Sequence, residues 1–170
     1  MSGADVIETV YPTGARGALR WLWLAAAVVA ADQLTKWLAA HYLPYATPVP
    51  LTPFLDLTLV HNTGAAFSFL STASGWQRWL FTGLAAGVSG VIVAWLRRLP
   101  AQARWQAAAL ALVLGGALGN LIDRVVHGYV VDFIDFHYLQ WHFPAFNVAD
   151  SAITVGAALL VVDLLRTGNR

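Results

Sequence analysis

Two aspartates sit where a carboxylate is costly. Asp132 lies in the run VVDF at 130–133, and Asp150 closes FNVAD at 146–150, each beside apolar residues. Eighteen residues separate them, enough for a loop that leaves a membrane and returns. Two carboxyls brought close together cannot both ionise easily, so they share a proton. One then acts as general base toward a water, and the other, protonated, polarises a carbonyl. This is chemistry suited to hydrolysing a peptide bond, and low-dielectric surroundings strengthen the coupling. Asp123 is a rival partner for Asp150, but the adjacent Arg124 favours its ionised form. Asp132 is flanked by Val130, Val131, Phe133 and Ile134, which favour a carboxyl that keeps its proton. The expected pair is therefore Asp132 and Asp150.

The elements that must position them belong to a membrane protein. Of 170 residues, 58% are hydrophobic and 11% charged, against roughly 25% charged in a soluble domain, and the mean hydropathy is +0.61. A net charge of +1 gives no case for nucleic-acid binding. The absence of cysteine excludes disulfides, thiolate metal sites and a cysteine nucleophile. Four stretches, about 19–40, 79–96, 105–122 and 148–165, approach the roughly 20 residues needed to span. The first is a retained helix rather than a signal peptide, because its apolar run continues past Asp32 and Lys36 and three further spans follow.

Arg16 and Arg20 precede the first span, Arg97, Arg98 and Arg104 lie between the second and third, and Arg166 and Arg170 follow the fourth. The bias of basic residues toward the cytoplasm then places both termini and 97–104 inside. Segments 41–78 and 123–147 face outward. Residues 1–18 read as a poorly ordered cytoplasmic tail. The alternation from Phe54 to Val60 predicts one or two short strands, followed by a turn at NTG. The expected fold is an all-α membrane protein of one domain over 1–170: four transmembrane helices with a small β-sheet on the outer surface. GAAFSF is expected to dip back toward the hydrocarbon, and NTGAAFSF to form a lid.

The remaining deep polar residues are Asp32, Gln33, Lys36, Asn62, Thr63, Asn120, Asp123, Arg124, Asp135 and Asn147. By this topology nearly all converge on the outer level of the bilayer, and ionisable residues there suggest function. Each also has a plainer reading. Asp32 and Lys36, spaced i, i+4, can pair with each other. Asn147 suits an N-cap, with Asp150 favouring the helix dipole three residues on. Asn120, Asp123 and Arg124 can form an interfacial polar cap. Gly115, Gly116 and Gly119 fit a close helix-packing surface. The five histidines show no metal spacing.

DQLTK at 32–36, NTGAAF at 62–67, GGALGNLIDR at 115–124, VVDF and FNVAD occur in that order. Together they resemble the lipoprotein signal peptidase (signal peptidase II) family of bacterial intramembrane aspartyl peptidases, over nearly the whole chain after residue 18. The resemblance implies an endopeptidase of the inner membrane. It would remove the signal peptide of prolipoproteins after diacylglyceryl modification of the cysteine at the cleavage site, cutting just before that cysteine. It assigns the catalytic dyad to Asp132 and Asp150, and supporting roles to Asp32, Lys36, Asn62, Gly64, Gly116, Asn120, Asp123, Arg124, Asn147 and Ala149. It implies no metal and no cofactor. The implied partners are diacylglyceryl-modified prolipoproteins and membrane lipids.

Two other readings compete. Lys36 with Ser68 or Ser151 would make a Ser–Lys peptidase. Intramembrane Asp and Lys would alternatively serve a proton or ion relay in a small transporter.

Overall fold

The computed structural model describes residues 18–64 and 75–168. A 3₁₀ turn, Ala18–Trp21, leads into helix α1, Leu22–Tyr42. Strands β1, Val49–Thr52, and β2, Leu55–Asn62, follow. Helices α2, Trp76–Arg98, and α3, Arg104–Val126, come next. Strands β3, Val130–Tyr138, and β4, Trp141–His142, then precede helix α4, Val148–Gly168.

All four expected helices are present, each reaching past its expected end. Helices α2, α3 and α4 are long and apolar enough to cross a membrane. Helix α1 carries Asp32, Gln33 and Lys36, which dilute its apolar run. Its 21 residues still amount to about 31 Å, the thickness of a hydrocarbon core.

Helix α3 is the hub and packs against α1, α2 and α4. Its sequence explains this: Ala107, Ala109, Ala111, Gly115, Gly116, Ala117 and Gly119 are all buried, and small residues let helix backbones approach. A Cβ on Gly116 would collide with the Ala149 carbonyl oxygen of α4. One on Gly119 would stand 2.5 Å from the Asp32 carboxylate of α1. The expected glycine packing surface is therefore real. Ile92, Leu96, Leu110 and Leu114 fill the core at the end away from the sheet.

The sheet is antiparallel throughout, in the order β1-β2-β3-β4. Pro50 is tolerated because β1 is an edge strand. The expected strand from Phe54 to Val60 is β2, shifted by a residue or two. Strand β3 has no counterpart in the sequence reading, in which 123–147 is an outward-facing connection. VVDFIDF lacks clean two-residue alternation because Val130, Val131, Asp132 and Phe133 are all buried. Ala39, Leu59, Val131 and Phe133 form a second core that seats the sheet on α1.

A register shift between Leu57 and Val60 decides which side chains meet. Leu57 faces Ile134, whereas Val60 faces Asp132 and Asn62 faces Val130. Were the same β2 residues paired straight through without that shift, Asn62 would point to the opposite face, since the side-chain period of a strand is two. The shift brings Asn62 onto the face of Asp132.

Candidate active site

One end of the bundle gathers the deep polar residues. Asp132 extends from β3 and is 2% exposed. Its Oδ2 accepts from Asn62 Nδ2 at 3.0 Å and its Oδ1 from Asn147 Nδ2 at 2.7 Å. Asp150 stands in the first turn of α4, and its Oδ1 accepts from Asn120 Nδ2 at 2.8 Å. Asn147 and Asp150 cap the helix reciprocally. The Asp150 N–H donates to Asn147 Oδ1 at 3.0 Å, and the Asn147 N–H donates to Asp150 Oδ2 at 3.3 Å. Asn147, fully buried, thus holds one carboxyl with its side-chain amide and the other with its backbone.

Burial pushes the Asp132 carboxyl up to about 7, and the nearby charge of Asp150 adds to the rise; the Asn62 and Asn147 amides oppose it. Buried carboxyls behave this way because desolvation penalises the charged form.

Beneath lies a charged layer. Lys36 Nζ reaches Asp32 Oδ2 at 2.8 Å, Asp123 Oδ2 at 3.0 Å and Asn120 Oδ1 at 2.8 Å. Both carboxylates and the ammonium are almost wholly buried. Asp32 Oδ1 accepts from the Ala149 N–H at 2.9 Å, and Asp123 Oδ2 from the Val131 N–H at 3.0 Å. The layer therefore fastens α1 to the start of α4 and α3 to β3. The Asp32–Lys36 pair expected from spacing exists, within a triad rather than alone. Asp123 faces Lys36 and not Asp150.

Arg124 lies over Phe81, with its guanidinium carbon 5.5 Å from the ring centroid, and Nη1 donates to the Asn120 carbonyl at 3.3 Å. Gly64 is buried, and its N–H donates to Asn62 Oδ1 at 3.0 Å, a turn that fixes the Asn62 amide. A cavity of about 780 Å³ opens onto Asp132 and Asp150, with Asn62, Asn120 and Arg124 also in its wall. Phe143, Phe146, Ile153 and Val155 make its apolar side.

The chain matches the sequence profile of the family described as Signal peptidase (SPase) II over residues 24–166. The chain belongs to this family of peptidases. It is 60% identical over 145 residues to a lipoprotein signal peptidase of Acinetobacter baylyi, covering 85% of this chain and 81% of that protein. It is 52% identical over 150 residues to one of Vibrio cholerae, covering 87% and 88%. A solved bacterial membrane enzyme, obtained by the in meso method at 2.3 Å, superposes with a TM-score of 0.76 at 32% identity, covering 94% of this chain and 93% of that one. The family resemblance and the mixed helical and sheet architecture are thereby shown.

All twelve expected site residues cluster in this region, on or beneath the cavity. Gly116 and Ala149 contribute through backbone approach rather than through a functional group. Two groups escaped the sequence reading. Gln33, one of the deep polar residues with no role assigned by the sequence, sends Nε2 to Asp32 Oδ2, the Gly119 carbonyl and Asp123 Oδ1 at 2.9–3.2 Å. Its signal was an amide adjacent to Asp32 in an apolar run. The wall at Phe143 and Phe146 carried no signal beyond its aromatics. Asp135 leaves the site: its carboxylate meets His142 and Thr58 on the other face of the sheet.

The competing readings weaken on this geometry. Lys36 Nζ is engaged by two carboxylates and Asn120 rather than by a serine, and Ser151 Oγ donates to the Asn147 carbonyl at 2.9 Å. Ser68, all of GAAFSF but Gly64, and most of the expected lid fall outside the described residues, as does nearly all of the expected tail at 1–18.

Proposed function

We propose that this chain is an aspartyl endopeptidase that removes the signal peptide from diacylglyceryl-modified prolipoproteins, cutting just before the lipidated cysteine. The observation that carries the reading is a buried carboxyl from a strand and a half-buried one from a helix start, joined through Asn147 at the head of one cavity. Asp132, whose affinity for a proton is raised to about 7, holds the shared proton. Asp150 is the base. Asp150 takes a proton from water, and the water oxygen bonds to the scissile carbonyl carbon. Asp132 gives its proton to the carbonyl oxygen. Collapse of the tetrahedral intermediate breaks the C–N bond: the amine leaves with the proton held by Asp150, and a hydroxyl of the gem-diol returns its proton to Asp132.

The apolar wall of Phe143, Phe146, Ile153 and Val155 suits an acyl chain entering from the bilayer. Asn62, Asn120 and Asn147 orient the carboxyls, and Asp32, Lys36 and Asp123 hold the elements that carry them. The chain works as one domain in the bacterial inner membrane, with both termini cytoplasmic and the site near the outer face. The distribution of arginines supports that orientation.

A gel-shift assay on a lipidated prolipoprotein tests this. Asp132→Asn and Asp150→Asn should each lower turnover by about 10²–10⁴-fold, with no cleavage of the unlipidated precursor by the wild type. Full turnover in either variant would refute the dyad. Equal cleavage of lipidated and unlipidated precursor would refute the substrate assignment.

A further inference from the structure

At the end of the bundle opposite the carboxyls, the charges of the described residues are mostly basic. Arg20, Arg97, Arg98, Arg104 and Arg166 all lie there. Among the described residues the single carboxylate at that end is Asp163, which accepts from Gln106 Nε2 at 2.7 Å. Arg20, Ala101, Gln102 and Arg104 enclose a cleft of about 430 Å³. Arg20 Nη2 donates to the Ala101 carbonyl at 2.9 Å, which holds its guanidinium at the rim. Arg104 is the first residue of α3. That helix has no acidic residue in its first turn and no side-chain cap. A cation at a helix N-terminus opposes the helix dipole, and among the described residues no carboxylate pairs with Arg20 or Arg104 in the cleft. Exposed Trp23, Trp95 and Trp105 ring the same end, and tryptophan settles at headgroup level.

We infer that the Arg20–Arg104 cleft binds the phosphate of an anionic phospholipid headgroup. Two planar guanidinium groups offer forked donors matched to phosphate oxygens. Clefts of this kind between helices on the cytoplasmic side hold anionic headgroups. The ligand is a lipid rather than free phosphate because the tryptophans put the cleft at the level of the headgroups. A lipid seated there would brace the 3₁₀ turn against the α2–α3 connection.

The test uses the full chain in neutral detergent with phosphatidylglycerol, phosphatidylcholine or inorganic phosphate added, reading lipid adducts by native mass spectrometry. The double variant Arg20→Gln/Arg104→Gln should lose about 30-fold in retained phosphatidylglycerol at low salt. Arg97→Gln/Arg98→Gln removes the same charge outside the cleft and should lose less than about three-fold. Phosphatidylcholine should not be retained, and millimolar inorganic phosphate should not displace the anionic lipid. Equal losses in the two double variants would reduce the effect to diffuse charge and overturn the site, as would displacement by inorganic phosphate. Should the cleft variant fail to fold, Arg20→Lys/Arg104→Lys keeps the charge and should still lose several-fold; unchanged retention there overturns the forked recognition. Adduct counting needs neither turnover nor a known orientation, so it stands or falls apart from the peptidase assignment.

Discussion

Asn147→Ser separates positioning from folding. The Asn147 amide donates to Asp132 Oδ1 at 2.7 Å, to the Val131 carbonyl at 3.2 Å and to Asn120 Oδ1 at 3.3 Å, while its Oδ1 caps α4 through the Asp150 N–H. A serine hydroxyl still caps a helix but is too short to reach across to β3. The cap, worth about 1 kcal/mol, is thus kept. The bond to a carboxylate, worth about 1.5–3 kcal/mol, is lost. Since that bond favours the charged form of Asp132, its loss raises the affinity of Asp132 for its proton. If Asp132 works as the protonated partner, activity falls as pH rises through about 7 in the wild type. In Asn147→Ser that alkaline limb should move up by about one pH unit, because 1.36 kcal/mol corresponds to one unit. Turnover below the limb should fall about 10²-fold through misplacement of the carboxyl. Asn147→Ala should show the same kinetic change plus about 1–2 kcal/mol of lost stability. The assays are the pH profile of prolipoprotein cleavage and thermal melting in micelles. An unmoved alkaline limb in both variants, or activity lost only in proportion to stability, would refute the assignment of the proton to Asp132.

Three further outcomes follow from the same geometry. Lys36→Met leaves Asp32 and Asp123 buried without their shared cation, which should cost about 3–5 kcal/mol and be read as a lower melting temperature in micelles. Gly116→Ala forces a methyl against the Ala149 carbonyl and should cost about 1–3 kcal/mol, with a larger fall in turnover than the neutral control Gly87→Ala, whose Cβ meets nothing. Asp132 binds its proton more tightly folded than unfolded, so the stability it contributes is present below about pH 4 and is lost as pH rises through about 7. A rise from 3.8 to about 7 is on the order of 4 kcal/mol, so wild-type melting temperature should fall between pH 4.5 and 8, and Asp132→Asn should flatten that slope.

The sequence exposed membership of the polar network better than its wiring. A charge at membrane depth must find a partner or be neutralised, so Asp32, Lys36, Asn120, Asp123, Asp132, Asn147 and Asp150 could be singled out one by one. Who pairs with whom is a matter of register and helix approach, neither of which is local. Asp32 and Lys36 pair as their spacing demands, yet the spacing gives no sign of Asp123 completing the triad across from α3. Gly119 was readable as a packing residue, but not that the atom it makes room for is the Asp32 carboxylate.

Strand β3 was missed because a strand buried on both faces loses its alternation, and with it the fact that Asp132 sits on a sheet rather than in a loop. Asn62 shows how far this goes. Its position in NTGAAF points to function, but its reach to Asp132 depends on the register shift that absorbs an extra residue in β2; paired straight through, it would face away. Deleting Thr58 removes the extra residue and the shift together, so Asn62 stays opposite Val130, and turnover should fall far less than in Asn62→Ala. A deletion variant as impaired as Asn62→Ala would mean that the register of β2 against β3 is not what presents Asn62 to Asp132.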